Sequence, residues 1–194
     1  MNARAIIPDD APPLRTPRAI LWRWLGRPLF RFTPRTAYRL RRRLLGLFGS
    51  ELAPSVKFRN TCRIDRPWNV SAGALVMFGD DTVLRATSPI RVGQRCVISQ
   101  YTLLMTTMID RDDRGGFRRV TGPIEIGDDC WVATDCTVLP GSVIPEGVVV
   151  GARSLIEGEL EPWTITSGSP ATVRGQRAKW EPTPIASNGA DARA

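Results

Sequence analysis

The chain has 194 residues and a formal charge of +8, with 27 Lys and Arg against 19 Asp and Glu. That length suits one domain with a sizeable core, and the basic excess indicates a polyanionic partner such as nucleic acid, acidic lipid or a phosphate-rich ligand. Histidine is absent from the whole chain, which excludes Ser-His-Asp and Cys-His catalysis and zinc sites built from histidine.

Targeting features are also sparse. No run of about 18 apolar residues predicts a membrane-spanning helix, and the opening stretch MNARAIIPDDAPPL lacks the apolar core of a signal peptide. The four cysteines contain no C-x-x-C pair, which is typical of a reducing compartment rather than of a disulfide framework. We therefore expect a cytoplasmic protein without a metal site.

The N-terminal part of the chain divides into two pieces. Residues 1–16 are predicted to be a disordered leader, and residues 17–50 a basic amphipathic helical segment. Ten arginines and no acidic residue lie in the stretch Arg15–Arg43. The piece Thr36–Phe48 is expected to form a helix with one apolar stripe. The stripe consists of Ala37, Leu40, Leu44, Leu47 and Phe48.

Two compatible interpretations of this segment remain open. Arginine beside large apolar side chains such as Trp22, Trp24 and Phe32 is typical of a helix that lies on an anionic membrane, here through residues 15–48. The alternative is a cap whose apolar face covers the open end of a repeat structure. Nucleic-acid binding is disfavoured because the segment carries no RNA-binding aromatic motif.

A six-residue period of aliphatic residues follows. It fits neither the 3.6-residue period of a helix nor the two-residue alternation of a strand, and it predicts a mainly β fold, the left-handed parallel β-helix, over residues 51–165. Each coil is expected to be a triangle of about 18 residues with one inward aliphatic side chain per face. The period runs through Phe58, Ile64, Val70 and Val76, then Val92, Ile98 and Leu104, then Ile126, Val132, Val138, Ile144, Val150 and Ile156.

The position four residues after each aliphatic residue is expected to be small, because the chain turns a corner there. All four cysteines fall on this position, at Cys62, Cys96, Cys130 and Cys136, and we interpret them as buried small hydrophobic residues. Two interruptions divide the period, a slip over residues 82–89 and a polar insertion over residues 106–123. The pattern thus predicts about five coils with one projecting loop, a short C-terminal extension over residues 166–181 and a flexible tail over residues 182–194.

Four segments carry a resemblance to a known family. They are PWNV at 67–70, ISQYTLL at 98–104, PIEIGDDCWVATDCTVLPGSVIPEGVVVGARSLI at 123–156 and PWTITSGSPATVRGQR at 162–177. With them the chain resembles the hexapeptide-repeat acyltransferases, especially the sugar O-acetyltransferases of exopolysaccharide assembly. The resemblance implies a homotrimer that transfers an acyl group, by analogy acetyl, to a sugar or lipid-linked sugar, on the inner face of the plasma membrane if the N-terminal segment binds it.

The same resemblance implies a site for acetyl-CoA in a groove between neighbouring subunits. The pantetheine arm is expected to run near Trp131 and to meet backbone groups near Ala133, Gly151 and Ala152. The phosphates of the cofactor are expected to meet arginines at the C-terminal end, because guanidinium groups pair well with phosphate. The candidates are Arg153, Arg174 and Arg177.

The family's general base is a histidine in the projecting loop, and the corresponding position here is Ile109. Several hypotheses follow. A carboxylate replaces the histidine, first of all Asp110, with Asp112 or Asp113 behind it; or the acceptor is an amine that needs no base; or the acyl group or acceptor supplies its own proton acceptor. The remaining hypothesis is a catalytically silent relative that binds, scaffolds or regulates.

Overall fold

The computed structural model describes residues 7–8, 16–111 and 116–179. Within these ranges the chain forms a parallel β-helix whose three faces are three parallel sheets, as predicted. The predicted tail 182–194 and the loop residues Asp112 and Asp113 lie outside the described residues, as does most of the predicted leader 1–16.

The sheets are named here in the order in which each coil visits them. The first sheet contains Glu51–Leu52, Val70–Ala72, Ile90–Val92, Ile124–Ile126 and Val143–Ile144. The second sheet contains Lys57–Phe58, Met77–Phe78, Val97–Ile98, Trp131–Val132, Val149–Val150, Thr164–Gly168 and the antiparallel Ala171–Gln176. The third sheet contains Arg63–Ile64, Val83–Arg85, Leu103–Met105, Thr137–Val138 and Leu155–Ile156.

The predicted aliphatic side chains form the core. Val132, Val138 and Ile144 are completely buried, because alternate residues of a short strand point to opposite faces and only one of them reaches the axis. Stacking identical positions of successive coils then buries a continuous column that no single coil could bury. The core thus confirms the six-residue period as the origin of the fold.

Coil lengths vary, and the register of the second sheet shows where. Phe58 pairs with Phe78 and Phe78 with Ile98, so two early coils have 20 residues (58 to 78 and 78 to 98). Val132 pairs with Val150, which gives 18 residues (132 to 150), and Ile98 pairs with Val132 across the projecting loop. We call the turn between the third sheet and the first sheet of the next coil the variable corner, because the extra residues all lie there.

One predicted run lies in the wrong register. Ala72, rather than Val70, pairs with Val92, and Val76 precedes the inward Phe78 by two residues. Val70 and Val76 are buried, but they occupy the places expected for small residues. The physical reason is the variable corner, since two additional residues there shift every later inward position of that coil.

The fifth coil is followed by a partial sixth, which adds to the predicted count of about five. Glu159 forms a parallel bridge to Val143, and Val150 pairs with Thr166. The strand Thr164–Gly168 then reverses into Ala171–Gln176. This antiparallel pair covers the C-terminal end of the second sheet.

The cysteines have the structural role that their spacing predicts. Each is buried, and each thiol donates a hydrogen bond to a backbone carbonyl; for example, the Sγ of Cys62 lies 3.1 Å from the Gly79 oxygen and that of Cys130 lies 2.9 Å from the Pro145 oxygen. Burial raises the pKa of Cys62 to about 12, so this thiol stays protonated at neutral pH.

Short helices at the N-terminus cover the first coil. They are the α-helices Pro17–Leu21, Arg27–Arg31 and Tyr38–Leu47 with a π-helical turn, Trp22–Gly26, and a 3-10 turn follows at Pro67–Asn69. Trp22 packs edge-on against Phe30 and Phe48, and Phe30 packs against the core residue Phe58. The described part of the N-terminal segment therefore caps the first coil. None of the helices among the described residues is long and apolar enough to cross a membrane.

The buried face of the last N-terminal helix differs from the predicted stripe. Leu40 and Leu47 are 54% and 84% exposed, whereas Arg41 and Leu45 are completely buried. The Arg41 guanidinium donates four hydrogen bonds, to the carbonyl oxygens of Phe58 and two loop residues and to one hydroxyl, at 2.7–2.8 Å. These acceptors replace the water that the cation loses, so Arg41, which was predicted to lie away from the apolar stripe, is part of the buried face.

The projecting loop is a β-hairpin at the variable corner. Its strands Thr107–Arg111 and Phe117–Thr121 pair antiparallel, and the short strand Ile7–Pro8 of the predicted disordered leader pairs with the second of them. The hairpin does not disturb the stacking below and above it, because Leu104 still pairs with Val138.

Candidate active site

Most of the predicted cofactor residues lie along one edge of the prism, the corner between the second and third sheets. Trp131 is half exposed, and its Nε1 donates to the Ser99 hydroxyl at 3.0 Å. The Ala133 amide donates to the Val150 carbonyl at 2.9 Å, so stacking already uses that group. We call this corner, in the last three coils, the cofactor edge.

Gly151 and Ala152, which both lie on the cofactor edge, differ in the backbone groups that they leave free to bind a ligand. The Gly151 amide donates to Thr166 at 2.7 Å, and its carbonyl accepts from Cys136 and Ser154. Ala152 is exposed, and within the described part of the chain its amide has no hydrogen-bond acceptor. The Ala152 amide is thus available at this edge to a hydrogen-bond acceptor of a ligand.

The predicted phosphate-binding arginines do not lie together. Arg153 is at the cofactor edge, 84% exposed at its side chain, with its Nε 3.4 Å from the Asp135 carboxylate. Arg174 reaches the same edge, where its Nε donates to the Ser167 hydroxyl at 3.1 Å. Arg177 is at the corner between the first and second sheets instead.

Arg177 holds the C-terminal extension on the coils. Its Nη1 donates to the carbonyl oxygens of Asp129 and Gly147 at 2.6 and 3.0 Å, and its guanidinium lies 5.9 Å from the Trp163 ring centre. A neighbouring bidentate pair, Arg95 with Asp129 at 2.7 Å, lowers the pKa of that carboxyl. This corner is rich in structural contacts.

The hairpin places the predicted base and its neighbour differently. Ile109 is 63% exposed and lines a cleft on the outer side of the third sheet. Asp110 is exposed and does not line that cleft; its Oδ1 accepts from the amide of Arg111 at 2.8 Å. Asp110 thus lies exposed near the end of its strand, and among the described residues no second group bonds to its carboxylate to orient it.

A cleft of about 960 Å³ lies between the outer side of the third sheet, the hairpin and the N-terminal helices. We call it the arginine cleft. Its basic residues are Arg27, Arg63, Arg85 and Arg119, its apolar floor includes Val83, Leu103 and Met105, and Asp65 supplies a carboxylate. An apolar wall with a few convergent polar groups is typical of small-molecule sites.

Asp65 differs chemically from Asp110. Burial raises the pKa of the Asp65 carboxyl, although the Ala86 amide donates to its Oδ1 at 2.7 Å and the charge of Arg66 acts in the opposite direction. A carboxyl with a raised pKa is a stronger proton acceptor than an exposed one. Sequence reasoning missed Asp65 and the four arginines. The usable signal was the alternation of the third-sheet strands, whose outward positions include Arg63 and Arg85.

Among the residues that the structure describes, no group of three or more Cys, Asp or Glu side chains is placed to hold a metal ion.

Solved structures identify the class of fold to which this arrangement belongs. A maltose O-acetyltransferase from Clostridium difficile 630 superposes with a TM-score of 0.73 at 22% identity, over 86% of this chain and 91% of that one. A hexapeptide-repeat acetyltransferase from Vibrio cholerae, in complex with acetyl coenzyme A, superposes with a TM-score of 0.70 at 20% identity, over 84% and 86%. These likenesses define the fold as that of the hexapeptide-repeat acetyltransferases.

A sequence relative then narrows the class to a family. The putative colanic acid biosynthesis acetyltransferase WcaF of Escherichia coli K12 is 37% identical over 161 residues, which is 83% of this chain and 88% of the relative. No protein-family model matches the chain. The chain belongs to the family of hexapeptide-repeat acetyltransferases that includes WcaF.

Proposed function

We propose that the protein transfers an acetyl group from acetyl-CoA to a sugar acceptor used in the assembly of a cell-surface or exported polysaccharide. The observation that carries the proposal is the family membership, which rests on 37% identity to a putative colanic acid biosynthesis acetyltransferase over 83% of the chain. The alignment spans the β-helix, so it includes both the cofactor edge and the arginine cleft. A related fold in complex with acetyl coenzyme A supports the choice of donor.

The donor is proposed to lie along the cofactor edge. The Ala152 amide is free to bind a pantetheine carbonyl, Trp131 offers a half-exposed ring beside the arm, and Arg174 and Arg153 offer guanidinium groups to the phosphates. Ala133 and Gly151 shape the edge through their backbone rather than through free amides. Arg177 is the weaker candidate, because structural contacts already use its guanidinium.

The chemical step needs a nucleophile and a place for one proton. The acceptor oxygen or nitrogen forms a bond to the acetyl carbonyl carbon, the bond from that carbon to sulfur breaks, and the leaving thiolate takes a proton. A positioned base contributes about 10²–10⁴-fold, while holding the two substrates together can supply about 7–11 kcal/mol. Base catalysis is thus a moderate part of the whole effect, and a carboxylate is sufficient to provide it.

Two carboxylates compete for the role of base. Asp110 follows the position of the family's histidine, and Asp65 lies in the arginine cleft with a raised pKa. Release of free CoA, measured with acceptors that present a hydroxyl or an amine, separates the mechanisms. Loss of transfer to hydroxyls in Asp65→Asn, with transfer to amines retained, identifies Asp65 as the base. The same pattern in Asp110→Asn identifies Asp110.

The absence of histidine favours one alternative, a catalytically silent relative that binds or scaffolds. Calorimetric titration with acetyl-CoA and the CoA-release assay distinguish it from an enzyme. Saturable binding with turnover supports the proposed function. Binding without release of CoA, for every hydroxyl and amine acceptor tried, refutes it in favour of the silent relative.

A homotrimer is proposed from the outer surfaces of the sheets. The first sheet is polar, with Arg91 and Glu125 paired at 3.7 Å, whereas the second sheet exposes Val97, Trp131 and Ile165 in one row at 41–50%. Such contiguous apolar exposure marks interaction surfaces, and a head-to-tail contact that buries this row against a neighbour closes a ring. Light scattering tests it: Val97→Arg should release protomers of 21.5 kDa, and Ser71→Arg on the first sheet should not.

A peripheral contact with an anionic membrane, on its inner face, is proposed for the N-terminal helices. They expose Trp24 and Phe32 at 75% and 86%, with Arg23 and Arg31 also exposed, which is the composition of an interfacial surface. Because the same helices cap the core, deletion would unfold the first coil. Sedimentation with phosphatidylglycerol vesicles should therefore use Trp24→Ser with Phe32→Ser, and equal binding by wild type and variant would refute the contact.

A further inference from the structure

The arginine cleft has an uneven distribution of charge. Arg63 lies on the outer row of the third sheet opposite Val83, and Arg85 lies two residues beyond Val83 on that neighbouring strand. The strand spacing and the rise of two residues together put the Cα atoms of Arg63 and Arg85 about 8 Å apart. Arg27 approaches from the N-terminal helices and Arg119 from the hairpin. Four guanidinium groups from four parts of the chain thus face one space, and Asp65 is the carboxylate among the described residues that line it.

Three of these cations have no partner among the described residues. No side-chain hydrogen bond or ion pair within the described part of the chain involves Arg27, Arg63 or Arg85, although acidic residues elsewhere pair with Arg35, Arg91, Arg95 and Arg153. Their side chains are exposed, so their guanidinium groups are available to a bound anion, which would add to the negative charge that Asp65 brings to the cleft.

A buried hydroxyl points to the same conclusion independently. Thr107, at the base of the hairpin, lines the arginine cleft, and its Oγ1 is buried without a hydrogen-bond partner among the described residues. Buried polar atoms are normally satisfied, and an exception is often explained by a ligand. A ligand oxygen that accepts a hydrogen bond from this hydroxyl would satisfy it once the side chain turns toward the cleft.

A second, smaller cleft continues the first toward the exposed apolar side chains of the N-terminal helices. It measures about 350 Å³, and it shares Arg27 and Arg63 with the arginine cleft. Arg23, Arg31 and Phe32 form its far side. The two clefts together make a basic path from the sheet surface to an apolar patch.

We propose that the arginine cleft binds the pyrophosphate of an activated sugar acceptor, so that the acetylated sugar is still attached to its carrier. The inference rests on the proposed function, because it names the acceptor class of the same site. Guanidinium groups pair with phosphate oxygens by two parallel hydrogen bonds, and two flexible arginines whose Cα atoms lie about 8 Å apart can each reach one phosphate of a diphosphate. The apolar floor of Val83, Leu103 and Met105 then faces the sugar ring, and the hairpin closes its other side.

Two carriers share this chemistry, a nucleoside diphosphate and a polyisoprenyl diphosphate. A nucleotide carrier requires the arginine cleft alone. A lipid carrier requires also the smaller cleft and the apolar patch, since its chain leaves the pyrophosphate toward Phe32. Both carriers place the same anionic group on Arg63 and Arg85.

The first experiment measures binding of inorganic pyrophosphate by calorimetry, at about 50 mM and about 200 mM salt. Arg63→Gln and Arg85→Gln should each weaken binding about 10-fold or more, as expected for loss of a charge-assisted contact. Arg91→Gln on the first sheet is the matched control for general basicity, and Arg174→Gln is the control for the cofactor edge. Neither control should change the affinity, and added CoA should not displace pyrophosphate.

Several outcomes would overturn the inference. They are wild-type affinity in Arg63→Gln and Arg85→Gln, equal weakening in Arg91→Gln, and displacement of pyrophosphate by CoA, which would assign the anion to the donor. A UDP-sugar and a polyisoprenyl-diphosphate sugar in phosphatidylcholine vesicles then distinguish the carriers. Binding of either with the same dependence on Arg63 supports the inference, and Phe32→Ser should affect the lipid alone.

Failure of this inference is distinguishable from failure of the proposed function. Pyrophosphate binding is measured without acetyl-CoA, and CoA release is measured with neutral sugars. Transfer to neutral sugars without a pyrophosphate site refutes only the acceptor class. A pyrophosphate site without binding of acetyl-CoA refutes only the proposed function.

Discussion

Replacing Arg41 by methionine should destabilise the protein strongly, although the helix that carries it is short. The side chain is completely buried, and its guanidinium donates to the Phe58 carbonyl at 2.8 Å, the Thr33 hydroxyl at 2.7 Å and the carbonyls of Pro34 and Arg35 at 2.7 and 2.8 Å. Methionine fills much of the same volume but donates no hydrogen bond.

The expected loss of folding free energy depends on which of the freed acceptors water can reach. The bonds to Phe58 and Thr33 are buried, whereas those to Pro34 and Arg35 are partly exposed, so water can replace the latter two. The Thr33 hydroxyl keeps its hydrogen bond to the Phe30 carbonyl at 2.8 Å, so the Phe58 carbonyl is the buried acceptor left unpaired, which costs about 1–3 kcal/mol. In a chain of this size each kcal/mol shifts the melting temperature by about 2–4 °C, and we expect a fall of about 2–12 °C.

The assay is thermal and urea unfolding followed by circular dichroism and by tryptophan fluorescence. Arg39→Met, which removes an exposed arginine from the same helix, is the matched control and should stay within about 0.5 kcal/mol of wild type. Tryptophan fluorescence is informative because Trp22 is buried in the cap. A loss below about 1 kcal/mol in Arg41→Met would refute the reasoning, since it would mean that the cap does not depend on those acceptors.

Three further predictions concern the thiols and the two sites. In the native protein all four thiols should be unreactive toward a disulfide reagent at neutral pH, because all four are buried; for Cys62, burial also raises the pKa to about 12. The unfolded chain should show four reactive thiols, and a fast-reacting thiol in the native state would contradict the prediction. Trp131→Ala should weaken acetyl-CoA binding about 10-fold, in the range of one lost aromatic contact. Lys57 lies in the same outer row, and Lys57→Ala should not weaken binding; equal effects of the two substitutions would exclude a specific groove. Asp65→Asn should tighten pyrophosphate binding, because it removes a negative charge from the cleft. It should also reduce the increase in affinity that the wild type shows as the pH falls, because the raised pKa of Asp65 means that this carboxylate is neutralised at a higher pH than an ordinary one. Unchanged affinity across pH 4–7 in both the wild type and the variant would contradict the placement of Asp65 in the cleft.

The sequence predicted the inward residues of the β-helix well, because one stacking rule determines them all. It failed at Val70 and Val76, since valine fits an aliphatic place and a small place equally, and only the pairing of Ala72 with Val92 shows which register the chain adopts. A hydrophobic pattern reports which residues avoid water, but it cannot locate two extra residues at a corner.

The sites were less accessible to sequence reasoning, for a related reason. Arg41 is buried because the fold brings the acceptors on Thr33 and Phe58 to its guanidinium, and the sequence around Arg41 gives no sign of those acceptors. Arg63 and Arg85 are ordinary basic residues in the sequence, and they form a cleft only when the hairpin and the N-terminal helices fold against the third sheet. The residues of the cofactor edge were predicted from a family pattern, and the structure places most of them along one corner of the prism.

The variable corner has a consequence for how such a protein diversifies. Extra residues and a whole hairpin enter there, yet Ile98 still stacks on Val132 and Leu104 on Val138. The peptide beside the proposed acceptor cleft can therefore be exchanged or lengthened during evolution without a change in how the coils stack. A foreign hairpin could be grafted between Thr107 and Thr121 for the same reason. Changes at the variable corner can thus alter specificity while the rest of the β-helix keeps its shape.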